Sequence, residues 1–177
     1  MPSQRENRST YKGPEGDTAA ASSAANAGMV VVDTPGHPRL AAVRAEHLGS
    51  AKGVIIAIDS TDMGSIKAAA EHIFEVFTSK DVSSGGVKRI LIASNKSELI
   101  FSKKPEVLLK ALTDELKTIR RSNPEQAAEC PGMGTDGDAL DIRTILGAAT
   151  PVEVVETSAK SGDIAAVHVF IKQVISA

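Results

Sequence analysis

The residues of this chain best suited to chemistry fall into three short polar clusters, Asp33-Thr-Pro-Gly36, Asn95-Lys-Ser-Glu98 and Thr157-Ser-Ala-Lys160. Each follows an apolar run: Met29-Val-Val-Val32, Arg89-Ile-Leu-Ile-Ala93 and Pro151-Val-Glu-Val-Val155. If those runs are strands of one parallel sheet, the clusters converge beyond its carboxyl ends, where open α/β sheets bind ligands. A guanine ring needs a carboxylate to accept from its N1–H and 2-amino group, an amide for its other edge, an aliphatic stem to lie on and a backbone N–H for its carbonyl. Glu98, Asn95, Lys96 and the Ser158–Ala159 backbone supply these in turn. Asp33 is placed to meet a Mg²⁺ ion through water, and at Gly36 a backbone N–H could approach a phosphate with no Cβ in the way.

The elements that must position these clusters are readable from periodicity. Consecutive β-branched residues at 29–33 suit a strand buried on both faces, as parallel strands are. Val54-Ile-Ile-Ala-Ile58 and 89–93 read the same way, whereas 151–156 alternates and suits a sheet edge. Helices are predicted over 38–48, 62–79, 105–121 and 163–175. Ile66, Ala69, Ile73 and Phe77 mark one apolar face, and Leu108, Leu112 and Leu116 another. Four strand–helix units imply right-handed crossovers and an α/β fold, a three-layer parallel sheet with helices on both faces. Residues 1–28 are polar and then Ala/Ser-rich, and read as a disordered tail. Residues 122–150, rich in Pro, Gly, Asp and Ala, read as a flexible surface insertion.

Composition narrows the function. At 177 residues the chain has room for one domain with a real core, and with 3% aromatic residues that core must be aliphatic. A net charge of −2 gives no electrostatic footprint for nucleic acid, so direct nucleic-acid binding is not expected. Cys130 is the single cysteine, which excludes an internal disulfide or a Cys-based zinc site and fits a reducing compartment. No apolar run reaches the ~20 residues that cross a bilayer, so no membrane span is expected in this sequence.

Asp-x-x-Gly, Asn-Lys-x-acid and Ser-Ala-Lys, in this order on successive strands, resemble the third to fifth motifs of Ras-like GTPases. Within that superfamily Asp33-Thr-Pro-Gly-His-Pro-Arg-Leu40 and Ser94-Asn-Lys-Ser-Glu-Leu99 are similar to the β subunits of the signal recognition particle receptor, over about residues 29–177. The resemblance implies GTP and Mg²⁺ as cofactors and the receptor α subunit as partner. It also implies a role at the cytoplasmic face of the endoplasmic reticulum membrane in delivering ribosomes to the translocon. By the same resemblance Asp33, Gly36, Asn95, Lys96, Glu98, Ser158, Ala159 and Lys160 would bind nucleotide, and His37 stands where many small GTPases carry a water-orienting glutamine. The plainer reading of His37 is a turn residue at a partner surface. His47, His72 and His168 read as helix-face residues.

The departures are specific. The sequence contains no Gly-x-x-x-x-Gly-Lys-Ser/Thr phosphate loop, and Glu98 replaces the usual aspartate. Gly132-Met-Gly-Thr-Asp-Gly137 fits Gly-x-Gly-x-x-Gly but follows no strand and opens no helix, which argues against phosphate binding. Residues 1–28 are not expected to supply the family's first strands, threonine switch or anchor. An incomplete GTPase domain with a gap between strands 29–33 and 54–58 would follow, with exposed edges and poor solubility without a partner. The alternative is a degenerate, non-hydrolysing adaptor that binds the α subunit without nucleotide. A translational GTPase fragment shares the Asp-x-Pro-Gly-His turn, but Ser-Ala-Lys and the lack of a following β-barrel sequence argue against it.

Overall fold

A computed structural model describes residues 7–11 and 29–176. Three parallel strands, β3 (Gly53–Asp59), β4 (Arg89–Asn95) and β5 (Val152–Glu156), form one sheet in that order. Register runs from Gly53 opposite Arg89 to Asp59 opposite Asn95, and from Ile90 opposite Val152 to Ser94 opposite Glu156. All three strands therefore end at the same rim. As the alternation in its sequence implies, β5 is an edge.

Helices cover both faces, giving the three layers expected of the α/β class. On one side α2 (Met63–Phe77) and α4 (Pro105–Ser122) pack on each other and on the sheet. Ile66, Ile73, Phe77, Leu108, Leu112 and Leu116 there meet Ile58, Ile90 and Ile92 in the larger core. On the other side α6 (Ala165–Ile175) presses Phe170, Ile171 and Val174 onto Leu91. Gly53 permits that approach, since a Cβ on it would lie 2.7 Å from Val174 Cγ2. Asp62 caps α2 by accepting from the backbone N–H groups of Gly64 and Ser65, and Pro105 opens α4, where a missing N–H costs nothing.

The first strand departs from expectation. β2 (Val30–Asp33) is not a buried parallel strand; it pairs antiparallel with β1 (Asn7–Thr10) in a separate two-stranded ribbon, with Val30 54% exposed. The β-branched run fits either setting, because propensity reports a pleated, half-buried surface and not a partner. Residues 7–10, expected within a disordered tail, supply that partner; residues 1–6 and 12–28 of the predicted tail lie outside the described residues. The chain then turns through a 3₁₀ segment, Pro38–Leu40, into α1 (Ala41–Leu48).

The insertion is also a correction. Residues 122–150 hold α5 (Pro124–Ala127) and a 3₁₀ turn at Pro131–Met133, and bury Ala127, Cys130, Met133, Leu140, Ile142 and Ile145 in the larger core. Arg120 from α4, 3% exposed, clasps the segment by donating to the carbonyls of Met133 at 2.7 Å and Asp138 at 3.4 Å. A Cβ on Gly132 would come within 1.8 Å of the Ile145 carbonyl oxygen, so that glycine serves chain packing. A further short helix not expected from the sequence, α3 (Lys80–Ser83), follows α2. Among the described residues no helix is long and apolar enough to cross a membrane.

Candidate functional site

The rim is built where β3, β4 and β5 end. Asn95 closes β4, and its side-chain Oδ1 accepts from the Ala159 backbone N–H at 3.0 Å. Glu98 Oε2 accepts from Ser158 Oγ at 2.5 Å, and Ser158 Oγ in turn accepts from Ser161 N–H at 3.2 Å. Ser97 N–H donates to Thr157 O at 3.1 Å and Thr157 N–H to Ser94 O at 2.9 Å, locking the two loops together by backbone as well. The second and third polar clusters thus form one constellation. Ser158 is buried at 1% exposure while Ala159 and Lys160 are exposed, so the wall is fixed and its edge is open.

Lys96 has φ of 67°, the one positive φ on a non-glycine among the described residues. A left-handed backbone on a long side chain is uncommon and costs energy that its surroundings must over-determine, a pattern that clusters at functional sites. What holds Lys96 is Asp59 at the end of β3: Nζ sits 2.5 Å from Asp59 Oδ2. Thr61 completes the acid's shell by donating from its hydroxyl at 2.6 Å and its N–H at 3.0 Å to Oδ1. The Lys96 bond first, and then Thr61, lower the Asp59 carboxyl to a pKa of about 2; the same bond raises Lys96. The Ser158 hydroxyl, and then its own backbone N–H, hold Glu98 below the usual carboxylate range, with a smaller contribution from Lys160. A stationary carboxylate, an amide, an aliphatic stem and a backbone N–H therefore share one rim. Asp59 was not foreseen as a site residue, although it too is a polar residue ending an apolar strand.

The first cluster lies elsewhere. Asp33 is exposed at the end of β2, and among the described residues no hydrogen bond joins Asp33, Gly36 or His37 to the rim group. Their turn is instead clamped on α2. His72 Nε2 donates to Gly36 O at 2.9 Å, and Arg44 donates to His37 O at 3.0 Å while pairing with Glu75 at 2.9 Å. Gly36 lies close enough that a Cβ would meet His72 Nε2 at 3.3 Å. The His37 ring turns back on its own loop, Nδ1 accepting from Arg39 N–H at 3.2 Å. His72, read from sequence as a helix-face residue, is part of this clamp, and His168 is hydrogen-bonded to Tyr11 Oη at 2.8 Å.

Parallel strands between helical layers, with Asn-Lys-x-acid and Ser-Ala-Lys bonded into one rim, define a small-GTPase type of domain. Comparison with known proteins makes this specific. The sequence model of the signal recognition particle receptor beta subunit matches residues 3–150, and the chain belongs to that family. It is 32% identical over 97 residues to the signal recognition particle receptor subunit beta of Saccharomyces cerevisiae, a match covering 52% of this chain and 40% of the yeast protein. The match thus spans about two fifths of that relative's length. Among solved structures, the mammalian SRP receptor superposes with a TM-score of 0.72 at 24% identity, covering 98% of this chain and 85% of that one. The SRb-GTP/SRX complex from Chaetomium thermophilum gives 0.71 at 17% identity, covering 97% and 79%. At these identities the structures speak for the fold.

Proposed function

We propose that this chain binds guanine nucleotide and acts as the β subunit of the signal recognition particle receptor, partnering the receptor α subunit in co-translational targeting at the cytoplasmic face of the endoplasmic reticulum membrane. The observation that carries the nucleotide reading is the pair of bonds Asn95–Ala159 and Glu98–Ser158, which hold an amide and a carboxylate in place before any ligand arrives. Glu98 accepts from the guanine N1–H and 2-amino group, Asn95, its Oδ1 held by the Ala159 N–H, reads the other edge through its amide N–H, and the Lys96 stem supports the ring; the Ala159 N–H would reach the guanine carbonyl only by leaving Asn95. Lys160, exposed beside Glu98, adds positive charge to the entrance. The solved SRb-GTP/SRX complex from Chaetomium thermophilum, which shares this fold, supports GTP as the nucleotide and a second receptor chain as the partner.

The phosphate side rests on fewer groups. Asp33 would meet a Mg²⁺ ion through water, Gly36 would offer its backbone N–H, and His37 would orient a water, all on the turn clamped by Arg44 and His72. When bound, the ion would supply charge neutralisation at the phosphates. With no phosphate loop in the sequence, affinity is expected to be weaker than micromolar, because phosphate contacts dominate binding in this class.

The test is ligand-observed NMR of the full chain with GTP and with ATP at millimolar concentration. Saturation transfer to GTP, little to ATP, and a loss of about tenfold or more in GTP affinity for Asn95→Ala are expected, the last from about 1–3 kcal/mol for an amide partner removed. Equal transfer to both nucleotides would refute base recognition. A nucleotide-independent adaptor is the second reading, favoured by the missing phosphate loop; co-purification with the α subunit that ignores both GTP and Asn95→Ala would establish it in place of the first.

A further inference from the structure

Two large apolar side chains stand almost wholly outside the fold, and they are neighbours in sequence. Ile100 is 94% exposed and Phe101 82%, with Leu99 before them at 42%. They crown the loop between β4 and α4, beside the rim. A single exposed apolar side chain needs no explanation, but a contiguous group marks an interaction surface. The crown is firmly held. Leu99 N–H donates to Lys96 O and Ser102 N–H to Leu99 O, both at 3.0 Å, so the loop is built of linked turns. Its return is pinned to the end of β3: Lys103 N–H donates to Ser60 O at 3.2 Å, and the Ser60 and Ser102 hydroxyls are bonded at 3.0 Å. The tip is therefore presented in one shape, with little ordering cost left to meet on contact.

The surroundings of the tip define what it fits. From Leu99 to Lys104 the chain carries two lysines and no acid. Two acids beside the loop are engaged: Glu98 accepts from Ser158 Oγ, and Glu156 pairs at 3.2 Å with Lys104, whose side chain stays 73% exposed. An apolar tip thus stands on a basic base. A protein partner is a poor match. A stable protein interface covers about 800 Å² on each side with few charges at its core, whereas the apolar tip gives way at once to Lys96, Glu98, Lys103 and Lys104. A bilayer makes the opposite demand. Its interface takes apolar side chains a few at a time, and lysines beside them bury their stems while their ammonium groups reach the lipid phosphates.

We propose that Leu99, Ile100 and Phe101 insert into the interface of an anionic lipid bilayer, with Lys103 and Lys104 at its phosphates. The contact is peripheral and reversible, since so few side chains fall far short of a span. It rests on the membrane location proposed above and gives that location a contact within the described residues. Neither nucleotide nor α subunit takes part, so the comparison of GTP with ATP and this inference stand or fall separately.

Flotation of the full chain tests it, with vesicles of phosphatidylcholine alone and of phosphatidylcholine mixed with phosphatidylserine; aggregates sink in this assay while vesicle-bound protein rises. Binding to the mixed vesicles is expected, weaker by about tenfold or more for Ile100→Ser or Phe101→Ser, each of which takes an apolar side chain out of the acyl boundary. Lys103→Gln is expected to lose about fivefold on mixed vesicles and little on phosphatidylcholine alone. Val169→Ser, on α6 across the sheet and 54% exposed, is the control and should float as the parent does. Because the chain has no tryptophan, Phe101→Trp reports on the tip by itself: its emission should move to the blue on mixed vesicles and be quenched by bromine on the acyl chains. Flotation that ignores both Ile100→Ser and Phe101→Ser would keep the membrane location and overturn the tip. No flotation of the parent, or emission from Phe101→Trp that vesicles leave unchanged, would overturn it too. A blue shift without lipid that grows with protein concentration would assign the tip to a second copy, and one raised only by the α subunit would assign it to that protein; either overturns the bilayer contact.

Discussion

Asp59 and Lys96 show how a single contact can tie a loop to a sheet. The Asp59 side chain is 25% exposed and that of Lys96 47%, so solvent screening keeps the pair's contribution to stability small despite the large pKa shift. Because the folded carboxyl is depressed from 3.8 to about 2, its contribution is present above the ordinary value and is lost as pH falls through that window. Asp59→Asn should therefore lower stability modestly at pH 7 and approach the parent protein near pH 2, as urea denaturation at several pH values would register. Glu98 yields a sharper consequence under the guanine reading: Glu98→Ala should weaken GTP more than ITP, whose base lacks the 2-amino group, and an equal loss for both would place Glu98 away from that edge. Asn95, Glu98 and Ser158 were legible because each sits just past an apolar run in a motif with chemical meaning. Asp59 was not, because its role depends on Lys96, one residue past the Asn95 that the register sets opposite it, turning back to it through a positive φ.

Elements with a strong internal period were legible, and those defined by their partners were not. α2 and α4 announce themselves by leucines, isoleucines and phenylalanines at helical spacing, and β4 by an unbroken apolar run. β1 is Asn-Arg-Ser-Thr, with no apolar residue, and becomes a strand only through pairing with β2. The insertion hid its packing because its apolar residues stand singly among polar ones, so no window shows a period. Yet Met133 is fully buried, and Arg120 beneath it has no exposed escape. Met133→Ala should cost about 2–5 kcal/mol, as cavity-forming substitutions in a core do, against a value near zero for a surface excursion. Arg120→Ala should also destabilise, by about 1–3 kcal/mol, by leaving the carbonyls of Met133 and Asp138 without their donor. Chemical denaturation of the two variants measures both.

At the scale of the molecule, the sheet of β3, β4 and β5 and the ribbon of β1 and β2 differ in how firmly they are held. The sheet's central strand, β4, has five consecutive buried residues, Ile90 to Ser94, between two helical layers. The ribbon is exposed along β1 and reaches the main body chiefly through Tyr11 and Met29, which pack on the small cluster of Leu91, Phe170, Ile171 and Val174, and through the Tyr11–His168 hydrogen bond at 2.8 Å. Opening the ribbon exposes little apolar surface, so it should occur well below the free energy of global unfolding, whereas β4 should open only with the whole domain. Native-state hydrogen exchange should accordingly show ribbon amides such as Tyr11 and Val31 exchanging orders of magnitude faster than Leu91 or Ile92. Tyr11→Phe removes the bond to His168 while keeping the ring, and should speed ribbon exchange several-fold, by about 1 kcal/mol, without altering β4. If ribbon and sheet instead exchange at one rate, the two form a single cooperative unit, and the anchoring assigned to Tyr11 and Met29 is too small.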